Sequence, residues 1–293
     1  MAEGSNKQIL ITGAPGLQGG AAVPYLSEYG HRVRVLTRDP GKAKGLTGSN
    51  VEVIQVDSRK REILKKALEG VDGVFLITPS EEGPKAEAAA GKAMVDACAE
   101  KEIGHVVYSS VCSANKKTGV PYFESKGEIE EHLKKSGLSY TILRPVWFME
   151  HFASPWYRPS IEKGVLSTPL HPDRPLQMIL AGDIGRIVAE VFTKPMKFLG
   201  REIDIAGDHL TMKNVAEEIS HVLSHPVRYE HVPGSRAEKV VGKDWVPVFQ
   251  WLNEHGYDAD IWLAQTLFNR YEITLTPFRE YLEKSRLGLG KAA

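Results

Sequence analysis

Cysteine is nearly absent: Cys98 and Cys112 are the only two in 293 residues. No disulfide framework can brace the fold, and a reducing compartment is the natural setting. Net charge is absent as well, because 37 Lys and Arg balance 37 Asp and Glu. A balanced chain does not hold nucleic acid through bulk charge, so no direct nucleic-acid partner is expected. No run reaches the roughly 18 apolar residues of a membrane span. The polar opening MAEGSNK also lacks the apolar stretch of a secretory signal. The expectation is a soluble protein of the cytoplasm or nucleus, with no membrane partner and an oligomeric state left open. The ten histidines show no metal-ligand spacing with Cys or Asp. His221 and His225 stand four apart without an H-E-x-x-H pattern, and no metal is expected.

What is present is ordinary globular material, 42% hydrophobic and 25% charged, in a chain long enough for a sizeable core. The first half alternates two periods. Lys7–Thr12, Arg32–Thr37, Val51–Val56, Val74–Thr78, His105–Ser110 and Tyr140–Leu143 read as short apolar strands. Between them Leu17–Tyr29, Arg59–Leu68, the alanine-rich Ala86–Lys101 and the charged Lys126–Ser136 read as helices. Strands and helices in strict alternation imply an α/β fold, a doubly wound parallel sheet of Rossmann type. The second half is less regular, and Ala153–Pro175 carries five prolines. Asp183–Phe192 (with Asp183 as N-cap) and Met212–Leu223 (capped by Thr211) read as helices, and Arg201–Ala206 and Val227–His231 as strands. The expected organisation is a dinucleotide-binding domain over 1–152, rejoined by 178–207. A smaller α/β lobe over 153–293 would bind a substrate or partner.

Thr12-Gly13-Ala14-Pro15-Gly16-Leu17-Gln18-Gly19 follows the first strand and opens the first helix. Glycine spacing alone is weak evidence, but this strand–turn–helix position is what a dinucleotide site needs. Gly13 allows the tight turn, Gly16 the approach of a pyrophosphate, and Gly19 close packing of helix on strand. The second strand ends at Thr37, where an NAD site would carry an acid, and Arg38 follows. Arginine suits a 2′-phosphate, so NADP(H) is the expected cofactor, NADPH over NADH, with Lys42 adding charge. Asp39 could serve NAD, but Asp39-Pro40 reads better as a turn. Ligands lie at the carboxyl ends of the strands. Asp57 and Ser58 therefore fall near the adenine, with Asp57 equally readable as a helix cap, and Thr78, Pro79 and Ser80 fall near the nicotinamide.

Tyr122 and Lys126 form Y-x-x-x-K, which puts phenol and ammonium on one helix face. The lysine can hold a ribose and lower the tyrosine pKa, and the phenol can relay a proton to a carbonyl. Ser109 and Ser110 end the fifth strand, and either hydroxyl can orient a substrate oxygen. The charged stretch Glu124–Lys135 reads most simply as a solvated helix face.

In these motifs the chain resembles the short-chain dehydrogenase/reductase superfamily and, within it, the atypical NmrA-like family. The likeness runs through ILITGAPGLQGG, RVRVLTRDP, HVVYSS, AGDIGRIVAEVF, LTPFREYLEK and, most specifically, ESKGEIEEHLKKSGLSYTILRPVWFMEHF. It implies a Rossmann domain binding NADP(H) and a smaller C-terminal lobe. It also implies that Lys126 contacts the cofactor and that Pro145, Val146, Trp147, Phe148 and Met149 line the nicotinamide pocket. Members of this family resemble either reductases of small conjugated molecules or redox sensors that lack the tyrosine and regulate partner proteins. Two functions follow as expectations. One is an NADPH-dependent reductase of an apolar or aromatic carbonyl or quinone, with Tyr122, Lys126 and Ser110 catalytic. The other is a silent sensor acting on a regulated protein partner.

Overall fold

The alternation of apolar runs and helical stretches becomes twelve strands and eleven helices in a computed structural model that describes residues 6–46, 50–55 and 61–288. In chain order the first half runs β1 (Gln8–Thr12), α1 (Leu17–Glu28), β2 (Arg32–Thr37), β3 (Val51–Gln55), α2 (Arg61–Ala67), β4 (Gly73–Leu76), α3 (Pro84–Glu100), β5 (His105–Ser109), α4 (Pro121–Lys135) and β6 (Tyr140–Pro145). The second half runs β7 (Trp147–Phe148), α5 (Arg158–Ile161), β8 (Val165–Thr168), β9 (Pro175–Ile179), α6 (Ala181–Thr193), β10 (Arg201–Ile205), β11 (Asp208–Thr211), α7 (Met212–Leu223), β12 (Arg228–His231), α8 (Gly234–Val241), α9 (Val246–Glu254), α10 (Ile261–Asn269) and α11 (Phe278–Ser285).

The chain divides into two compact units, the first made of Met1–Arg144, Ala181–Asp204 and Tyr271–Ile273. Its centre is a seven-stranded sheet in the order β10-β6-β5-β4-β1-β2-β3. The β1–β2, β2–β3, β1–β4, β4–β5 and β5–β6 pairs are all parallel. Central strands covered on both faces need apolar side chains throughout. Accordingly β4 and β5 are buried at every position, while the edge strand β3 is buried at none. The order reverses at β1, so the loops leaving β1 and β4 part there and open a crevice at the carboxyl ends of the strands.

Three local differences from the sequence reading have physical causes. α4 begins at Pro121 and not at Lys126, because proline at the first helical position has no N–H to leave unpaired. α6 begins at Ala181, so Asp183 lies inside its first turn and not at the N-cap position, and it pairs there with Arg186. The face of α4 is not uniformly solvated. Glu130 is buried and takes a bidentate pair from Arg144 of β6 at 2.8 and 2.6 Å, and Arg144 also pairs with Glu202 of β10. Thr211 does cap α7, its Oγ1 accepting from the N–H of Asn214 at 3.2 Å.

The second unit comprises Pro145–Leu180, Ile205–Arg270 and Thr274–Ala293. It has a three-stranded sheet in the order β11-β9-β7 and a parallel pair of β12 with β8. Residues 145–152 group here because Trp147 and Phe148 of β7 pair with Met178 and Ile179 of β9. Among the described residues no helix is long and apolar enough to cross a membrane.

Two buried histidines of the first unit make its stability pH-dependent. His31 Nε2 lies 3.1 Å from Thr193 Oγ1, and His105 Nε2 lies 2.9 Å from Thr141 Oγ1. Each threonine gives its own proton to a carbonyl, that of Ala189 or Phe198, so each ring must donate through Nε2–H. Both Nδ1 atoms are buried without a partner among the described residues, and protonation would bury an unpaired N–H. Desolvation, aided by nearby Lys7, lowers both rings to about 4 from 6.5. The unfolded chain therefore binds more protons than the native one between these values, and stability falls as the pH drops through that window. The loss should be on the order of 3 kcal/mol per ring, seen as a lower urea midpoint at about pH 4.5 than at about pH 7. His105→Asn should flatten the dependence, and an unchanged slope would refute the assignment.

Candidate active site

The crevice is built from the glycine loop upward. Thr12 Oγ1 at the end of β1 accepts from the N–H of Ile77 and donates to its carbonyl, both at 2.7 Å, which pins β1 to the segment leaving β4. Gly13 then turns the chain with φ +66°, a left-handed conformation that side chains resist. At Gly19 a Cβ would lie 2.5 Å from Ala14 Cα and 2.7 Å from the Gly13 carbonyl oxygen, so only glycine lets α1 stand this close to the loop. Gly16 is the N-cap of α1 and supplies no capping side chain, and the first turn carries no acid. N–H groups left open at a helix start are a site for an anion. Ala14 is buried, Pro15 half-buried and Leu17 exposed. Gln18 Oε1 accepts from Ser109 Oγ at 2.5 Å, which joins the loop to the end of β5.

Beyond β2, Asp39 is used locally. Its Oδ1 accepts from the N–H of Gly41 at 2.9 Å and caps the turn Pro40–Ala43, and its own N–H bonds Thr37 Oγ1. Arg38 is exposed but already paired. Its Nη1 donates to Glu82 Oε1 at 2.8 Å, and Nη2 lies 3.8 Å from Glu81 Oε2. Lys42 is exposed on the turn beside it. Asp57 and Ser58 lie outside the described residues.

At the other end of the crevice sits a buried ionic network that the sequence reading did not contain. Glu87, in the first turn of α3, has a fully buried side chain. Its Oε1 accepts from Lys126 Nζ at 2.8 Å and from Thr78 Oγ1 at 2.7 Å, and its Oε2 accepts from Ser125 Oγ at 2.8 Å. Lys126 Nζ also reaches Thr78 Oγ1 at 3.3 Å and stands 5.3 Å from the centre of the Tyr122 ring. Burial alone would favour the neutral amine. Tyr122, Tyr108 and Glu87, with the hydrogen bond to Glu87, outweigh it and hold Lys126 above its ordinary value. Tyr122 is half-buried, and burial pushes its phenol up, against the pull of Lys126 and with the help of Glu87. Lys126 pulls the phenol down as the spacing suggested, but desolvation and the neighbouring carboxylate outweigh that pull.

Thr78 was expected to face a ligand, but its hydroxyl is spent inside this network. Pro79 is half-buried and Ser80 exposed beyond it. Ser110 Oγ is buried with no partner among the described residues, whereas Ser109 has given its proton to Gln18. In the second unit Pro145, Val146 and Met149 are core residues and Phe148 is half-buried. Trp147 packs edge-on to His151, Trp245 and Phe249 at 4.8–5.9 Å, and its buried indole N–H has no partner among the described residues. Desolvation lowers His151 to about 4, so this cluster is uncharged at neutral pH.

Glu87 left a signal in the sequence. Residues 87, 91, 94 and 98 follow the helical period and form the buried stripe of α3. A carboxylate on such a stripe needs a buried cation, and Lys126 is the one it finds.

A sequence model described as the NmrA-like family matches residues 5–282. A Dictyostelium discoideum protein described as NmrA-like family domain-containing is 28% identical over 302 residues, covering 95% of this chain and 98% of its own. The NAD(P)H azoreductase of Xenophilus azovorans is 29% identical, covering 94% and 96%. Among solved structures, the triphenylmethane reductase of Citrobacter sp., crystallised with NADP(H), has a TM-score of 0.82 at 19% identity, covering 95% and 99%. At that identity the last likeness speaks for the fold alone.

Removing one partner of a buried ion pair leaves the other uncompensated. Lys126→Met should therefore cost about 3–5 kcal/mol, and Lys126→Met with Glu87→Gln should recover most of it. Denaturant unfolding of the two variants decides the matter. Equal losses in both would mean that the two charges do not depend on each other.

Proposed function

The chain belongs to the NmrA-like family, and we propose that it is an NADPH-dependent reductase of a small carbonyl, quinone or related conjugated molecule. The observation that carries this reading is the phenol of Tyr122 beside a buried, protonated Lys126, on the helix that follows the serine-ended strand β5. A relative named as an NAD(P)H azoreductase supports it.

The residues fit a dinucleotide. The uncapped start of α1 would hold the pyrophosphate, with Gly13, Gly16 and Gly19 keeping side chains out of its way. Arg38, with Lys42, would take a 2′-phosphate. Lys126 uses two of its three N–H groups on Glu87 and Thr78, and the third remains for a ribose hydroxyl. When bound, the reduced nicotinamide supplies a hydride. Tyr122 gives its O–H proton to the substrate oxygen, so that a carbonyl gains one hydride and one proton and becomes an alcohol. The tyrosinate left behind recovers its proton from solvent. Ser110, whose hydroxyl is uncommitted, orients the same oxygen. A sensor that binds the dinucleotide without turnover is the competing reading within this family, and Tyr122 weighs against it.

Tyr122→Phe should lower kcat for NADPH oxidation against a quinone and azo-dye panel by about 100-fold or more while leaving NADPH affinity unchanged. Turnover equal to wild type would remove Tyr122 from the reaction, and no turnover of any substrate by wild type would favour the sensor.

Cofactor choice is tested separately by calorimetry. A charge-assisted pair contributes about 1.5–3 kcal/mol, so NADPH should bind roughly 10- to 150-fold tighter than NADH. Arg38→Ala should abolish most of that difference. Because Glu82 competes for the same guanidinium, Glu82→Gln should tighten NADPH and leave NADH unmoved. Equal affinities in the wild type would overturn the assignment.

A further inference from the structure

Nothing in the Y-x-x-x-K spacing requires a carboxylate, yet one is buried against the lysine. From that juxtaposition we infer that Glu87 is a positioning residue that cancels the charge of Lys126 and so keeps Tyr122 a neutral phenol, setting the site to donate a proton in reduction and not to accept one in oxidation. The inference rests on the reading of Tyr122 as the proton donor and says in which direction that donor works.

The geometry supplies the argument. Lys126 Nζ and Glu87 Oε1 are 2.8 Å apart, with side chains 6% and 0% exposed, so water screens neither charge. An ammonium alone at 5.3 Å from the Tyr122 ring centre would favour the phenolate strongly in such a medium. A carboxylate bonded to that ammonium makes the pair a dipole, whose field at the phenol is far weaker than that of a single charge. Glu87 is itself well held, with Thr78 and Ser125 donating to it beside the lysine, and it sits in the first turn of α3, where negative charge is favoured.

Among the described residues, the titratable groups that face this point come from three elements. α4 contributes Tyr122 and Lys126, α3 contributes Glu87, and β5 contributes Tyr108, which also feels Glu130. None of them adds a second cation. Burial pushes both tyrosines up, and Glu87 adds to the push on each. Reduction of a carbonyl consumes the proton of a phenol, whereas oxidation of an alcohol needs a phenolate to take one. With Glu87 in place the phenolate is confined to alkaline pH.

The test is made on the cofactor-free full chain, by following tyrosinate ultraviolet absorbance against pH. Each protein is read against its own Tyr122→Phe counterpart, so that only Tyr122 remains in the difference. In wild type the midpoint should lie above about pH 10. In Glu87→Gln it should fall by about one pH unit or more, since an unopposed cation at this range moves a pKa by that much. In Glu87→Gln/Lys126→Met it should return to within about half a unit of wild type. An unmoved midpoint in Glu87→Gln overturns the inference, and so does a double variant that stays low. If Glu87→Gln does not fold, the double variant decides alone: a midpoint near wild type supports cancellation, and a drop of about a unit or more refutes it. A purely structural role for Glu87 would lower stability without moving this midpoint. The titration needs no turnover, so failure of the reductase reading is visible separately, as Tyr122→Phe turnover equal to wild type, which would overturn the assigned direction while leaving the cancellation intact.

Discussion

Opposite charges at 2.8 Å in the interior of the first unit, on Glu87 and Lys126, set the terms for much that surrounds them. Each would be costly to bury alone, and together they are tolerable because both carboxylate oxygens are bonded and the ammonium meets Glu87 and Thr78. Thr78 must turn its hydroxyl inward, Ser125 must give its proton to the carboxylate, and Gly91 must be small where Ile129 presses on α3 from α4. The pairing therefore fixes how α3 and α4 stand together, and with them the place of Tyr122.

Much of the first unit was legible in the sequence because its determinants are local. A glycine turn between strand and helix, apolar runs of strand length, and a tyrosine four residues before a lysine each carry their meaning within a few positions. What was not legible is partnership across distance. Glu87 meets a lysine 39 residues away, and Glu82 meets an arginine 44 residues away. Nothing in either neighbourhood names its partner. The same holds for Glu130 and Arg144, which made a charged helix look solvated when one of its acids is in the core. The alternation of strands and helices located the crevice, and the pairing of buried charges decided what its side chains are free to do.

The second unit was harder to read for a related reason. Its short strands and proline-rich stretch follow no single period, and its organising feature is a group of rings drawn from separate segments. Residues 145–149 carry a family likeness, but most of them serve as core, and Trp147 alone keeps a buried donor unused.

One short stretch joins two parts of the first unit that look independent. Glu81 and Glu82 engage Arg38, and Glu87, five residues on, engages Lys126, with only Gly83 and the first turn of α3 between them. Glu81 and Glu82 lie on the segment that leads into the helix bearing the lysine's counter-charge. The counter-charges of Arg38 and of Lys126 are thus carried on one continuous piece of backbone.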